Sequence, residues 1–177
     1  MKFKEYILQE TYINAFTDKD KEIYVDQVWA LLQESYKSIG GIKGSGFESK
    51  EDMKNKIKLW KLNVENGKVK AGILYKDKND ARKSVAVFTD GSVKSKKVLT
   101  TMLKDDLGRS FIEVSHGLLK YMERKLPVFF KKYAIPTTKV PQILGKEITI
   151  IDEYHYERNI NGSVITKVLL GTGKTFI

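Results

Sequence analysis

The stretch from Lys83 to Lys125, KSVAVFTDGSVKSKKVLTTMLKDDLGRSFIEVSHGLLKYMERK, limits what this chain can fold into more than any other. Ser84 to Thr89 is a short apolar run of β-branched and aromatic residues stopped by Asp90-Gly91, and reads as a buried strand. From Lys97 to Leu107, Val98, Met102 and Leu103, with Leu99 and Leu107 beside them, put apolar groups on one helical face while Lys96, Lys97 and Lys104 stay in water. Gly108 suits a left-handed cap at its end. Phe111, Ile112 and Val114 predict a second strand, and His116 to Lys125 a second helix. Strand, loop, helix, strand, helix is the order of a parallel-sheet unit. Such units take ligands at the carboxyl ends of their strands, beside helix N-termini.

The flanking segments supply the remaining layers. After a cap-like stretch from Thr17 to Asp20, Val25, Val28, Trp29, Leu32, Tyr36 and Ile39 recur at helical spacing, and Gly40-Gly41 ends the pattern. The following glycines, through Gly46 to Phe47, read as a loop on the substrate side or a plain connector, since they match no phosphate-binding fingerprint. Ser49, Glu51 and Asp52 open a short helix. Ile57 to Asp77 predicts a hairpin about Asn66-Gly67, which with Ser84 to Thr89 makes an antiparallel meander. After Pro127 the pattern loosens and Pro136 and Pro141 exclude a long helix, Gly145 suits the cap of a single helical turn, and Tyr154–Ile160 and Val164–Leu170 form a terminal hairpin about Asn161-Gly162. Gly171 to Thr175 imitates the end of a phosphate-binding loop, but its first glycine would be Val168, so it is no nucleotide site.

Composition narrows the function classes. The 177 residues suit one core, and 32 basic against 22 acidic residues give a net charge of +10, which favours anionic partners, nucleic acid among them. The lysines are scattered along the chain, as on ordinary solvated faces. The absence of cysteine removes disulfides and thiolate nucleophiles, and two histidines 39 residues apart argue against a metal site. No segment approaches the ~18 apolar residues of a membrane span, so no membrane partner is expected.

The order of the Lys83–Lys125 elements, with F-I-E-V-S (Phe111–Ser115) leading into a helix, resembles the acyl-coenzyme-A-binding half of the GNAT N-acetyltransferases. The two helices and meander before it and the strand pair after it extend that resemblance, which implies an α/β (α+β) domain with a mixed central sheet flanked by helices over residues 17–177. It implies acetyl-coenzyme A as donor and an amine acceptor that the sequence does not name. Backbone groups at Phe88 and Thr89 would meet the pantetheine arm. A loop of type Q/R-x-x-G-x-G/A would wrap the pyrophosphate, but here the chain has Gly91-Ser92-Val93-Lys94-Ser95-Lys96-Lys97. Lys94, Ser95, Lys96 and Lys97 are then the candidates for holding phosphate, and the missing glycines leave open a catalytically silent member.

Amine acylation needs a base, an acid and an oxyanion donor. Glu113 and His116, following the cofactor helix, are the base candidates, and Tyr133, with Tyr121, the candidate acid. His155 with Glu157, and Tyr156 with Arg158, fall on opposite faces of a presumed strand. Finally, residues 1–16 read as a separate leading element. Met1 to Glu10, ending Leu8-Gln9-Glu10, resembles the capsid-targeting peptides of internal head proteins of T-even-like bacteriophages. That resemblance implies phage head components or a host protein as partners, and the virion or host cytoplasm as location.

Overall fold

The Asn66-Gly67 turn sets the register of the first sheet. In a computed structural model, which describes residues 10–15, 17–37, 47–75, 84–107, 111–160 and 162–172, these two residues have φ of 52° and 74°. That left-handed pair is what a two-residue hairpin turn needs, and Asn-Gly adopts it at little cost. The turn joins β2 (Leu59–Glu65) to β3 (Lys68–Tyr75). With β1 (Glu10–Ala15) on β2 and β4 (Ser84–Thr89) on β3, all antiparallel, the order is β1-β2-β3-β4. The meander read from the sequence is present, and Glu10–Ala15, from the stretch set apart as a leading element, forms its outer strand.

Helix α1 (Asp18–Ser35) starts where Thr17 accepts the Asp20 N–H, and buries Val25, Val28 and Leu32 on Trp60, Leu62, Val64 and Phe88. It stops at Ser35, short of the expected Gly40, because Tyr36 leaves helical geometry and turns inward as the C-cap. Helix α2 (Lys50–Lys56) is capped by Ser49. Helix α3 (Val93–Asp106) begins earlier than its apolar pattern suggested, since Ser92 caps it.

The second half runs β5 (Ile112–Ser115), α4 (His116–Lys125), α5 (Pro127–Tyr133), a 3-10 turn at Thr137–Lys139, α6 (Val140–Leu144), β6 (Thr149–Ile150), β7 (Tyr156–Ile160) and β8 (Ser163–Leu170). Gly145, at φ 63°, caps α6 as the sequence suggested. These strands form a second antiparallel sheet, β5-β8-β7-β6. Helix α3 binds the two sheets into one core: Leu99, Leu103 and Leu107 pack with Ala71 and Ile73 of the first and Ile112, Val114, Val168 and Leu170 of the second.

The class is the expected mixed α/β arrangement, with one correction to the sheet. Strands β4 and β5 touch without a hydrogen-bonded ladder, so the single mixed sheet resolves into two antiparallel halves. The physical reason lies in α1. Its last turn sits beside β4, where Ser35 Oγ donates to the Thr89 carbonyl at 3.4 Å and the Tyr36 hydroxyl meets the Val87 backbone. Residues 1–9, 38–46, Gly108, Asn161 and 173–177, on which the targeting-peptide, glycine-loop, helix-cap and tail readings fall wholly or in part, lie outside the described residues. No helix among the described residues is long and apolar enough to cross a membrane.

Candidate functional site

Because β4 and β5 end without pairing, a cleft of about 360 Å³ opens between their carboxyl ends. Glu34, Ser35 and Tyr36 from α1 form one wall, Val87 to Gly91 with Lys96 and Leu99 the second, and Glu113, Ser115, Lys167 and the start of α4 the third. This is the strand-end position that the order of elements predicts.

Five of the expected residues meet here: Phe88, Thr89, Lys96, Glu113 and His116. Four do not line the cleft. Tyr133 packs its ring on Phe129, 4.8 Å between centroids, and its carbonyl accepts the Gly171 N–H. Lys94 bonds both carboxylate oxygens of Glu65, at 3.0 and 3.1 Å. Ser95 is buried in the turn that starts α3, and Lys97 is exposed.

Glu113 is anchored across the second sheet. Its Oε2 accepts the Tyr156 hydroxyl at 2.8 Å and its Oε1 the Arg158 guanidinium at 2.5 Å. Burial pushes its carboxyl up, but the Lys167 charge, Arg158 and Tyr156 together hold it below the usual range. Alternation puts Tyr156 and Arg158 on one face of β7, as the sequence implies, and the register Ser115↔Lys167↔Tyr156 carries that face across β8 to β5. With both oxygens engaged, Glu113 is a fixed charge, poorly suited to taking a proton.

His116 contrasts with it. Its φ is 49°, a left-handed conformation that costs a non-glycine residue about 1–2 kcal/mol and is concentrated at functional sites. Burial first, then the Lys167 and Lys120 charges, lower its imidazole below the ordinary 6.5. It is therefore a neutral base at pH 7, on the cleft wall. Tyr36 faces the same space. Burial of its hydroxyl outweighs the opposing bond to the Val87 backbone and, with a smaller push from the Glu113 charge, raises it to about 12, so it stays protonated.

The sequence did not single out Tyr36 or Lys167. Lys167 had a readable signal, a lone lysine inside the apolar run Val164 to Leu170. Tyr36 had none, because its spacing fits the buried face of α1.

The turn expected to hold pyrophosphate is filled by the chain itself. The Gly91 N–H bonds Thr89 Oγ1 at 3.1 Å, the Ser92 N–H bonds Asp90 Oδ1 at 3.0 Å, and the Ser95 N–H bonds Ser92 Oγ at 3.1 Å. Burial raises the Asp90 carboxyl, yet hydrogen bonds from Ser95 and Ser92, with Lys70 at 3.7 Å, hold it below the usual range and ionised. The residues present thus fit coenzyme A only in part. The unladdered edge of β5 fits an extended, amide-bearing arm, while on β4 Ser35 and Tyr36 already meet the Thr89 and Val87 backbone. The turn does not fit a diphosphate. Among the described residues no group of three His, Cys, Asp or Glu side chains is placed to hold a metal ion.

No family model matches the chain, and no curated protein matches it. Among solved structures, the chain is similar to the aminoglycoside 6'-N-acetyltransferase from Enterococcus faecium. The identity is 12%, the match covers 89% of this chain and 94% of that one, and the TM-score is 0.47.

Proposed function

We propose that the protein is an N-acyltransferase of the GNAT type that moves an acyl group from a thioester donor, acetyl-coenzyme A in the simplest case, to an amine. The carrying observation is the neutral, left-handed His116 at the mouth of a cleft between two unladdered strand ends. The family resemblance of the Ser84–Lys125 order supports the same reading. A bound donor supplies a thioester carbonyl, to whose carbon the amine nitrogen bonds as the carbon–sulfur bond breaks.

The chain's own residues divide the remaining work. His116 accepts the proton that the amine loses. Tyr36 offers a hydroxyl donor across the cleft. Glu113, held by Arg158 and Tyr156, is a positioning residue that fixes β5 and balances Lys167.

The test measures thiol release from acetyl-coenzyme A with a panel of primary amines. His116→Gly should lower kcat about 100-fold, while stability stays within about 1 kcal/mol of the parent because glycine accepts this φ. Unchanged turnover in that variant would remove His116 from the reaction. A second reading, favoured by the self-filled turn, is a catalytically silent GNAT-like protein with a role in a phage virion or on a host protein. That reading expects no thiol release with any amine and no binding of thioesters.

A further inference from the structure

The turn between β4 and α3 is built as an anion seat and already holds an anion. The N–H groups of Gly91, Ser92 and Ser95 end on Thr89, Asp90 and Ser92 side chains, and Ser92 Oγ lies 2.7 Å from Asp90 Oδ1. Of the nearby cations, Lys70 is paired with Asp90 at 3.7 Å and Lys94 with Glu65 at 3.0 Å, while Lys96 lines the cleft beside the turn. A phosphate arriving here would find these three N–H donors taken and a carboxylate in its place. An incoming dianion would have to displace Asp90 or face its charge.

We propose that Asp90 is the resident anion of this turn, so the cleft binds pantetheine thioesters through their amide arm and acyl end without reading a diphosphate. This rests on the acyltransferase reading. It makes Asp90 a specificity-determining residue: the donor class widens from coenzyme A thioesters to any acylated pantetheine arm that reaches the cleft. The arm's amides suit the unladdered edge of β5, which needs an extended partner and no charge, and on β4 they would replace the Ser35 and Tyr36 contacts to Thr89 and Val87.

Calorimetric titration of the full-length protein with acetyl-coenzyme A and with S-acetylpantetheine, which carries no phosphate, tests this. The two should bind within about fivefold of each other, a difference smaller than one charge-assisted hydrogen bond. Millimolar inorganic pyrophosphate should not displace S-acetylpantetheine. Asp90→Ala, which frees donors and removes the charge, should tighten acetyl-coenzyme A about tenfold and leave S-acetylpantetheine unchanged. Asp90→Asn, which keeps the turn's acceptor, guards against a loss of folding and should shift the coenzyme A affinity the same way by less. Acetyl-coenzyme A binding more than about fivefold tighter than S-acetylpantetheine in the parent protein would overturn the proposal, as would an Asp90→Ala variant with no gain. If neither thioester binds, the acyltransferase reading falls and takes this inference with it.

Discussion

Two strand-to-helix junctions face each other across the cleft, and they are stabilised in opposite ways. From β4 into α3 the side-chain caps are local: Thr89, Asp90 and Ser92 serve N–H groups two or three residues on. From β5 into α4, Ser115 makes no side-chain cap bond and His116 takes a left-handed φ. What fixes this second junction comes from far along the chain, through Tyr156, Arg158 and Lys167 gathered about Glu113. The self-satisfied junction is chemically closed, and the one held from outside leaves its own groups facing the cleft. That separation of support from exposure is what a site needs, since a group already paired in its own turn has nothing to offer a ligand.

The sharpest way to break this comparison is to cut the remote support. Glu113 and Arg158 side chains are 12% and 14% exposed, so Arg158→Met leaves a buried carboxylate short of its closest partner. The expected loss is about 3 kcal/mol in urea unfolding, with Arg158→Met/Glu113→Gln recovering part of it. A loss under about 0.5 kcal/mol would mean that Lys167 and Tyr156 alone hold β5.

A smaller effect separates the two caps. Ser92→Ala should destabilise by about 1 kcal/mol, the usual worth of an N-cap, whereas Ser115→Ala should change stability by only a few tenths, about 0.3 kcal/mol. Equal losses in thermal unfolding would erase the distinction between the junctions.

The smallest effect is spectroscopic. The chain has two histidines, and their environments pull them apart. His116 is lowered by burial and by Lys167 and Lys120. Burial also works against the charge on His155, but Glu123, bonded to Nε2, and Asp152, 2.9 Å from Nδ1, raise it above 6.5. Proton NMR titration should show one imidazole with a midpoint below 6.5 and one above it, with His155→Gln removing the upper transition. The linkage signs are opposite. The raised His155 contributes stability that is full below its unfolded value and lost as pH rises through the folded one. The lowered His116 makes the fold gain stability as pH rises from its folded midpoint to its unfolded value near 6.5, below the window of His155. Coincident midpoints would contradict both environments.

Much of the fold was legible because its signals are local. Asn66-Gly67, Thr17, Ser49 and Gly145 each specify a turn or cap through their own backbone preferences, and the structure uses all four. The candidate site was half legible. The element order pointed to the ends of β4 and β5, and Glu113 and His116 came with them. Of the lysines read as a phosphate grip, Lys96 lines the cleft but Lys94 does not, because charge in sequence does not say which carboxylate is near: Glu65, across the fold from Lys94, takes that ammonium.

By itself the sequence determined most of the elements and their order, though not β1, α5 or β6, since periodicity, caps and turn residues act over a few positions. Only the tertiary structure decided that β4 and β5 stay unpaired, because this depends on where the end of α1 places Ser35 and Tyr36. It also decided which polar groups are free. Asp90 spends its charge on its own turn, while Lys167, Tyr156 and Arg158 reach Glu113 across strands that meet only when both sheets have formed. Pairing between residues more than 40 positions apart is a property of register and packing, and no local pattern encodes it.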